Sequence, residues 1–263
     1  MKVDLQLSAA TMTWGQIRDG AAAADEAGFD TFWTFDHLDG RVLNGHTMLE
    51  CWTLMGALAA VTSRVGLGTL VVNVANRPAG VMATAAASVQ AVSGGRLRLG
   101  LGAGASPVSQ WAAEQRAVGM TLRPTLAGRH EALTDALDLL DAMWRSDRDE
   151  RFAGFPLPVP RPPVVLGVNS DALARVAGRR CDGVNVRGNH PDAPRFLAMA
   201  AEARAGRTGP WDASVWTHWD PALVRPDHPE RVRWAARGVT RLILTSLQPL
   251  AAADIAAVAA QLA

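Results

Sequence analysis

Apolar residues recur along the chain with two different spacings. Short runs rich in Val, Leu, Ile and aromatic residues, bounded by Gly, Pro, Asn or Asp, are typical of strands. Stretches whose apolar residues recur three or four positions apart are typical of helices. The strand pattern occurs at 3–9, 31–35, 65–72, 97–101, 164–166, 183–186, 214–219 and 241–245. A helix follows each strand, most clearly at 17–27, 49–61, 78–92, 128–144 and 252–262.

The regular alternation of strands and helices predicts the fold class. Strand–helix units imply parallel strands joined by right-handed crossovers. Eight such units close a barrel, although an open doubly wound sheet has the same local pattern. The length of 263 residues and the lack of a linker-like segment favour the barrel. We therefore predict an α/β protein with a single (β/α)8 TIM barrel over residues 1–263.

Composition excludes several classes of protein. The formal net charge is +1, so charge does not favour binding to nucleic acid or to a membrane surface. No apolar run of about 18 residues predicts a membrane span, and the first residues lack a signal-peptide core. The two cysteines, Cys51 and Cys181, lie far apart and have no zinc-like spacing. These features predict a cytoplasmic protein without a metal centre.

In a barrel, the residues that carry chemistry collect at the carboxyl ends of the strands. Asp36 and His37 follow the second predicted strand, where an imidazole could exchange protons near neutral pH. The same histidine could instead hydrogen-bond a loop. Asn73 follows the third strand, where it could line a pocket or begin a turn. His37 is therefore the candidate catalytic residue.

The fourth predicted strand ends in alternating glycines, Gly102 and Gly104, followed by Ser106. Such a string superficially resembles a dinucleotide-binding loop. That loop, however, follows the first strand of a βαβ unit and precedes an acidic residue about 20 positions further on. The glycines instead predict a surface on which a flat ligand lies against the main chain.

The later strand ends offer candidates for binding an anion. Gly167, Asn169 and Ser170 lead directly into a helix, whose free amides would suit either a capping side chain or a phosphate. Arg187 follows the sixth strand and would complete an anion site, or else face solvent. The candidates for the wall of a substrate pocket are Trp14, Ser106, Trp111 and His218.

Four short motifs carry a resemblance to a known family. They are Ala-Gly-Phe-Asp at 27–30, Ser-Arg-Val-Gly-Leu-Gly-Thr at 63–69, Ser-Gly-Gly-Arg at 93–96 and Leu-Gly-Leu-Gly-Ala-Gly at 99–104. Together with Asp36-His37, they resemble the bacterial-luciferase-like flavin and deazaflavin oxidoreductases, over nearly the whole chain. The resemblance implies a (β/α)8 barrel that holds FMN or the deazaflavin coenzyme F420 at the strand ends.

The resemblance also implies roles for particular residues. His37 would lie near the reactive ring, and a non-prolyl cis peptide between Leu70 and Val71 would support the back of the ring. The residues that the resemblance and the strand ends assign to the cofactor are Asp36, Leu70, Val71, Asn73, Gly102, Gly104, Gly167, Asn169, Ser170 and Arg187. The family is often dimeric through the helices after strands two and three, and Leu54, Met55 and Leu58 would allow this contact or belong to the core.

Two departures from the family pattern bear on function. Ala105 stands where some deazaflavin dehydrogenases of the family carry a glutamate, which argues against a sugar-phosphate dehydrogenase. Val168 stands where the phosphate loop often has a second glycine. The favoured hypothesis is an F420-dependent oxidoreductase that transfers a hydride to or from a small organic substrate, with His37 as its polar group. The alternatives are an FMN-dependent monooxygenase fed by a separate flavin reductase and a flavin-binding barrel without catalysis.

Overall fold

Parallel strands close into a barrel in the computed structural model, which describes residues 1–262. The strands are β1 (Lys2–Leu7), β2 (Thr31–Thr34), β3 (Gly66–Thr69), β4 (Val72–Asn73), β5 (Leu97–Gly102), β6 (Val164–Gly167), β7 (Gly183–Arg187), β8 (Asp212–His218) and β9 (Arg241–Ser246). β3 and β4 are two parts of one barrel position, since β3 pairs with β2 and both parts pair with β5. β1 pairs with β9 and closes the ring, so the predicted TIM barrel is confirmed.

Helices cover the outside of the barrel. They are α1 (Trp14–Ala27), α2 (Cys51–Val61), α3 (Ala79–Val92), α4 (Ala113–Ala117), α5 (Leu126–Trp144), α6 (Asp171–Arg180), α7 (Ala193–Ala203), α8 (Pro229–Ala235), α9 (Ala252–Ala256) and α10 (Ala259–Leu262). Short 3-10 turns lie at Gly40–Leu43, Gln110–Ala112, Glu150–Phe152 and Pro221–Val224. Within residues 1–262, no helix is both long enough and apolar enough to cross a membrane.

Four local predictions differ from the structure. The helix predicted over 252–262 is divided into α9 and α10 by a turn at positions 257 and 258. The third strand, predicted to be continuous, is interrupted at Leu70 and Val71. The peptide bond between these two residues is cis, as the family resemblance implies. The segment 105–124, predicted to be a loop, contains α4 and a 3-10 turn. Thr13 caps α1 and bonds reciprocally with Gln16, so the helix begins at Trp14, three residues earlier than position 17.

Side chains alternate across the barrel wall, as the two-residue period of a strand requires. On β9, Leu242 and Leu244 belong to the main apolar core between strands and helices. Arg241 and Thr245 face the other way and, inside the barrel, donate to side chains of the neighbouring strand β1. Polar side chains therefore fill part of the barrel interior, whereas the apolar core surrounds it.

A buried charged cluster fills the end of the barrel where the strands begin. Arg241 contacts both carboxylate oxygens of Asp4 at 2.7 and 2.8 Å and Asp30 at 2.6 Å. Its side chain is 1% exposed and that of Asp4 is 0% exposed. Trp33 donates its indole N–H to Asp4 at 2.7 Å, and its ring packs with Leu70 and Ile243 in a small apolar cluster. These layers fill the barrel at the end where the strands begin, and the cavity lined by strand carboxyl ends opens at the opposite end.

The Ser-Gly-Gly-Arg motif joins α3 to β5, and its arginine bonds to the end of α2. Gly94 and Gly95 have φ of 65° and 89°, values that favour glycine, and this allows the chain to reverse after α3. Arg96 donates to four backbone carbonyls at 2.7 to 3.1 Å, those of Ala59, Thr62, Val65 and Ser93. The arginine therefore satisfies carbonyls that the end of α2 leaves without partners.

Replacing Arg96 by methionine is expected to lower the free energy of unfolding by about 2–4 kcal/mol, because several charge-assisted hydrogen bonds disappear together. Arg96→Lys should recover only part of the loss, since an ammonium group cannot match the planar fork. Equilibrium urea unfolding measures both variants. Arg18→Met removes an exposed arginine from α1 and serves as the control, with an expected change within about 0.5 kcal/mol. A loss no larger than this control would contradict the prediction.

Candidate functional site

A cavity of about 710 Å³ opens at the carboxyl ends of the strands. This size is typical of small-molecule and cofactor sites. Most of the site residues predicted from the sequence line it together: Asp36, His37, Leu70, Val71, Asn73, Gly102, Gly104, Ser106, Trp111, Gly167, Asn169, Arg187 and His218. The strand-end rule thus brings residues from most of the barrel to one place.

Two predicted site residues lie outside the cavity lining. Trp14 is in the first turn of α1, and its indole packs against the main apolar core. Ser170 is the cap of α6, and its hydroxyl accepts a hydrogen bond from the backbone N–H of Leu173 at 3.4 Å. Both positions are explained by the start of a helix, because Trp14 begins α1 and Ser170 caps α6.

The glycines at the end of β5 make room for the neighbouring strand. A Cβ on Gly102 would come within 2.6 Å of a methyl carbon of Val71, and one on Gly104 within 2.7 Å of Asn73 Oδ1. Gly104 also has φ of 75°, which an L side chain rarely adopts. Protein packing alone therefore requires small residues here. The resulting wall is formed by Val71, Asn73 and the bare main chain of β5.

Asp36 is buried and fully engaged by the protein. Its carboxylate accepts two hydrogen bonds from Arg77, at 2.7 and 2.8 Å, and one from the backbone N–H of Asn73 at 2.9 Å. Asn76 donates to it as well. Burial raises the pKa of Asp36, while Arg77 opposes the rise. Asp36 therefore connects the end of β2 to the end of β4 and to the start of α3.

His37 has a carboxylate partner that sequence reasoning missed. Its Nδ1 lies 2.9 Å from Oε1 of Glu114 on α4, whose side chain is 1% exposed. The other carboxylate oxygen accepts from the backbone N–H groups of Leu38 and Asp39, at 2.8 and 3.0 Å. Burial alone would raise the pKa of Glu114, but these hydrogen bonds outweigh it and hold the pKa below its ordinary value. No local sequence pattern predicts the contact between His37 and Glu114, because 77 positions separate them.

Two arginines on the cavity wall have no carboxylate within 4.0 Å among residues 1–262. Arg187, at the end of β7, lies with its guanidinium carbon 5.2 Å from the ring centre of Trp216. His218 meets the same indole edge-on at 6.0 Å. The other is Arg129 on α5, which sequence reasoning missed. Guanidinium groups bind phosphate and carboxylate in a planar, two-pronged geometry, so either arginine is suited to an anionic ligand group.

Beside Arg129, His130 also lines the cavity and was not predicted. Its Nε2 is buried and has no hydrogen-bond partner among the described residues. Burial lowers the pKa of His130, and the charge of Arg129 lowers it further. One sequence signal could have found Arg129 and His130. Both lie in the first turns of α5, which begins directly after the long segment that follows β5.

The comparisons with known proteins identify the family of the chain and agree with its fold. A sequence profile described as luciferase-like monooxygenase matches residues 1–260, and the chain belongs to that family. An F420-dependent glucose-6-phosphate dehydrogenase of Kineococcus radiotolerans is 31% identical over a match that covers 70% of this chain and 55% of that protein. A 5,10-methylenetetrahydromethanopterin reductase of Methanolobus tindarius is 27% identical, with 73% and 57% covered. The chain thus spans about half the length of the curated relatives it matches.

Solved structures agree on the fold at low sequence identity. An F420-dependent secondary alcohol dehydrogenase in complex with an F420-acetone adduct superposes with a TM-score of 0.78 at 16% identity, covering 99% of this chain and 97% of that one. A monooxygenase from Streptomyces bottropensis superposes with a TM-score of 0.71 at 17% identity, with the same coverage. These similarities concern the barrel architecture.

Proposed function

We propose that the chain is an F420-dependent oxidoreductase that transfers a hydride between the deazaflavin and a small organic substrate. The observation that carries the proposal is the pairing of His37 with the buried carboxylate of Glu114, beside a cavity wall without side chains at Gly102 and Gly104. Similarity to F420-dependent dehydrogenases and to a methanopterin reductase supports the choice of cofactor.

The cavity fits a flat cofactor with an anionic tail. Its volume of about 710 Å³ is large enough for a ring and a small substrate together. When bound, the deazaflavin supplies the hydride chemistry. Leu70, Val71 and the bare main chain of β5 would contact the ring. Gly167, Asn169 and Arg187 would hold the phosphate near the start of α6, with Arg129 as a second cation for anionic groups.

The chain's own residues would then orient the substrate and handle its proton. His37 lines the cavity with its side chain 25% exposed, and because Glu114 engages Nδ1, Nε2 would be the nitrogen that contacts a ligand. Ser106, Trp111 and His218 form part of the cavity wall and remain our candidates for substrate contacts. Asp36 would act by keeping the wall in place, because both of its oxygens are already bonded to Arg77.

An FMN-dependent two-component monooxygenase is the second candidate, favoured by the description of the matching family as luciferase-like monooxygenase. It would require a separate flavin reductase as a partner. Reduced FMN would then drive oxygen consumption, whereas deazaflavin chemistry would not. This difference in oxygen use separates the two candidates in a single assay.

We expect F420 to bind with a dissociation constant at least about tenfold below that of FMN when both are titrated side by side by fluorescence. Arg187→Gln should weaken F420 binding by about tenfold, because a charge-assisted contact to phosphate is lost. Arg175→Gln on the exposed face of α6 makes the same change in charge and should leave binding unchanged. Tighter binding of FMN, with oxygen consumed by its reduced form, would reject the deazaflavin assignment.

A second copy of the chain remains a proposed partner, beside the small-molecule substrate. The residues first considered for a dimer contact, Leu54, Met55 and Leu58, are 3%, 0% and 0% exposed and belong to the core of the monomer. A homodimer through α2 and α3 would instead use exposed apolar residues such as Val61 and Val81. A cytoplasmic location also remains a proposal, supported by two cysteines that are buried and free.

A further inference from the structure

We propose that Glu114 is a positioning residue that fixes the orientation and tautomer of His37, so that Nε2 of the imidazole faces the cavity as a hydrogen-bond acceptor. The inference rests on the proposed function only for its kinetic consequence. Its structural part concerns the ligand-free protein and stands on the hydrogen bonds of Glu114.

The carboxylate of Glu114 is anchored independently of the imidazole. Oε2 accepts from the backbone N–H groups of Leu38 and Asp39, which directly follow His37 in the chain. Gln115 donates its side-chain amide to Oε1 at 3.0 Å. These contacts fix the carboxylate relative to the backbone that carries His37. Oε1 is therefore presented to Nδ1 from a rigid position.

An ionised carboxylate can only accept hydrogen bonds. At a separation of 2.9 Å from Oε1, Nδ1 of His37 must therefore carry the hydrogen. In the neutral imidazole this leaves Nε2 with a free lone pair, and Nε2 is the nitrogen that remains available to a ligand in the cavity. A carboxylate that holds a histidine tautomer in this way acts through the histidine and does not itself touch the substrate.

Glu114 is also the only carboxylate that can do this among the described cavity residues. The other acidic residue of the lining is Asp36, whose oxygens are occupied by Arg77, Asn73 and Asn76. At the end of β5, position 105 is an alanine. Within the described lining, the carboxylate that contacts His37 is therefore the one supplied by α4.

Glu114→Gln tests the inference, because its amide is nearly isosteric with the carboxylate. Its carbonyl oxygen can still accept from Leu38 and Asp39, which turns the amide N–H toward His37 and makes Nδ1 an acceptor. We expect the neutral tautomer to change from Nδ1–H in the wild type to Nε2–H in the variant. Nitrogen-15 NMR of labelled histidine in the ligand-free protein measures the tautomer directly. The signal of His37 is assigned as the one that is missing from the spectrum of His37→Asn.

The kinetic arm uses F420 with a panel of alcohols, enones and imines. For the first compound that the wild type turns over, kcat of Glu114→Gln should fall by on the order of 10²-fold, as expected when a catalytic histidine has the wrong tautomer. KM and the dissociation constant of F420 should change less than about threefold. Glu131→Gln, on the exposed face of α5, is the charge-matched control and should keep wild-type kinetics. Glu114→Asp should restore the Nδ1–H tautomer and part of kcat.

The two arms separate failure of the inference from failure of the proposed function. A wild-type protein with the Nε2–H tautomer, or a Glu114→Gln variant with an unchanged tautomer, overturns the inference whatever the activity. If the wild type turns over no compound with F420, the proposed function fails while the NMR result still decides the role of Glu114. A changed tautomer with kcat within threefold of the wild type would overturn the positioning role.

Discussion

His37→Ala should lower kcat by on the order of 10²–10⁴-fold, the usual contribution of a positioned acid–base group. The imidazole is the titratable side chain at the cavity that is both partly exposed and held by a buried carboxylate. Alanine leaves the carboxylate of Glu114 in place, still bonded to the backbone of Leu38 and Asp39, so the loop should remain ordered. The loss should therefore appear in turnover rather than in folding.

Steady-state turnover with F420, together with F420 binding, measures this effect. We expect the dissociation constant of F420 to change less than about threefold, because the wall of β5 and the arginines are untouched. His46→Ala removes an exposed histidine and should have wild-type kinetics. Unchanged turnover in His37→Ala would remove the histidine from the mechanism, whichever cofactor is used.

Arg241→Leu is expected to lower the free energy of unfolding by about 3–5 kcal/mol, the loss typical of breaking a buried ion pair by removing one partner. Asp4 would remain in the barrel interior with 0% exposure and without the guanidinium that contacts both of its oxygens. Asp30 would lose a contact of 2.6 Å at the same time. A buried, uncompensated carboxylate is costly because the interior solvates charge poorly.

Urea unfolding followed by circular dichroism measures the loss. The double variant Asp4→Asn with Arg241→Leu should be more stable than Arg241→Leu alone, because the uncompensated charge is then removed as well. Arg225→Leu removes an exposed arginine from a surface pair and should change stability by less than about 0.5 kcal/mol. A loss below about 1 kcal/mol in Arg241→Leu would mean that the cluster contributes little to stability.

Local sequence patterns predicted the barrel because each strand–helix unit is encoded locally. Gly28 follows α1 with φ of 91°, the left-handed conformation expected of a helix-ending glycine. Gly94 and Gly95 reverse the chain after α3 in the same way. Strand ends were also predictable, and the parallel arrangement of the barrel brings their residues to a common edge.

Local sequence patterns could not predict contacts between residues that are far apart in the sequence. Glu114 and His37 are 77 positions apart, and Asp4 and Arg241 are 237 positions apart. Each pair forms only because the barrel closes and brings the two segments together. For the same reason local patterns could not show that Gly102, which lines the cavity as predicted, also lies against Val71. Leu54 and its neighbours could not be assigned to core or surface until the packing of α2 was known.

The sequence by itself determined the fold class, the family and the edge of the barrel where the cavity opens, because periodicity, helix ends and short motifs are local properties. Only the tertiary structure decided which side chains meet at that edge. It paired His37 with Glu114, occupied Asp36 with Arg77, and left Arg129 and Arg187 without carboxylate partners among the described residues. Hydrogen bonds and ion pairs act over a few ångströms in space, so side chains far apart in sequence become partners only through the fold.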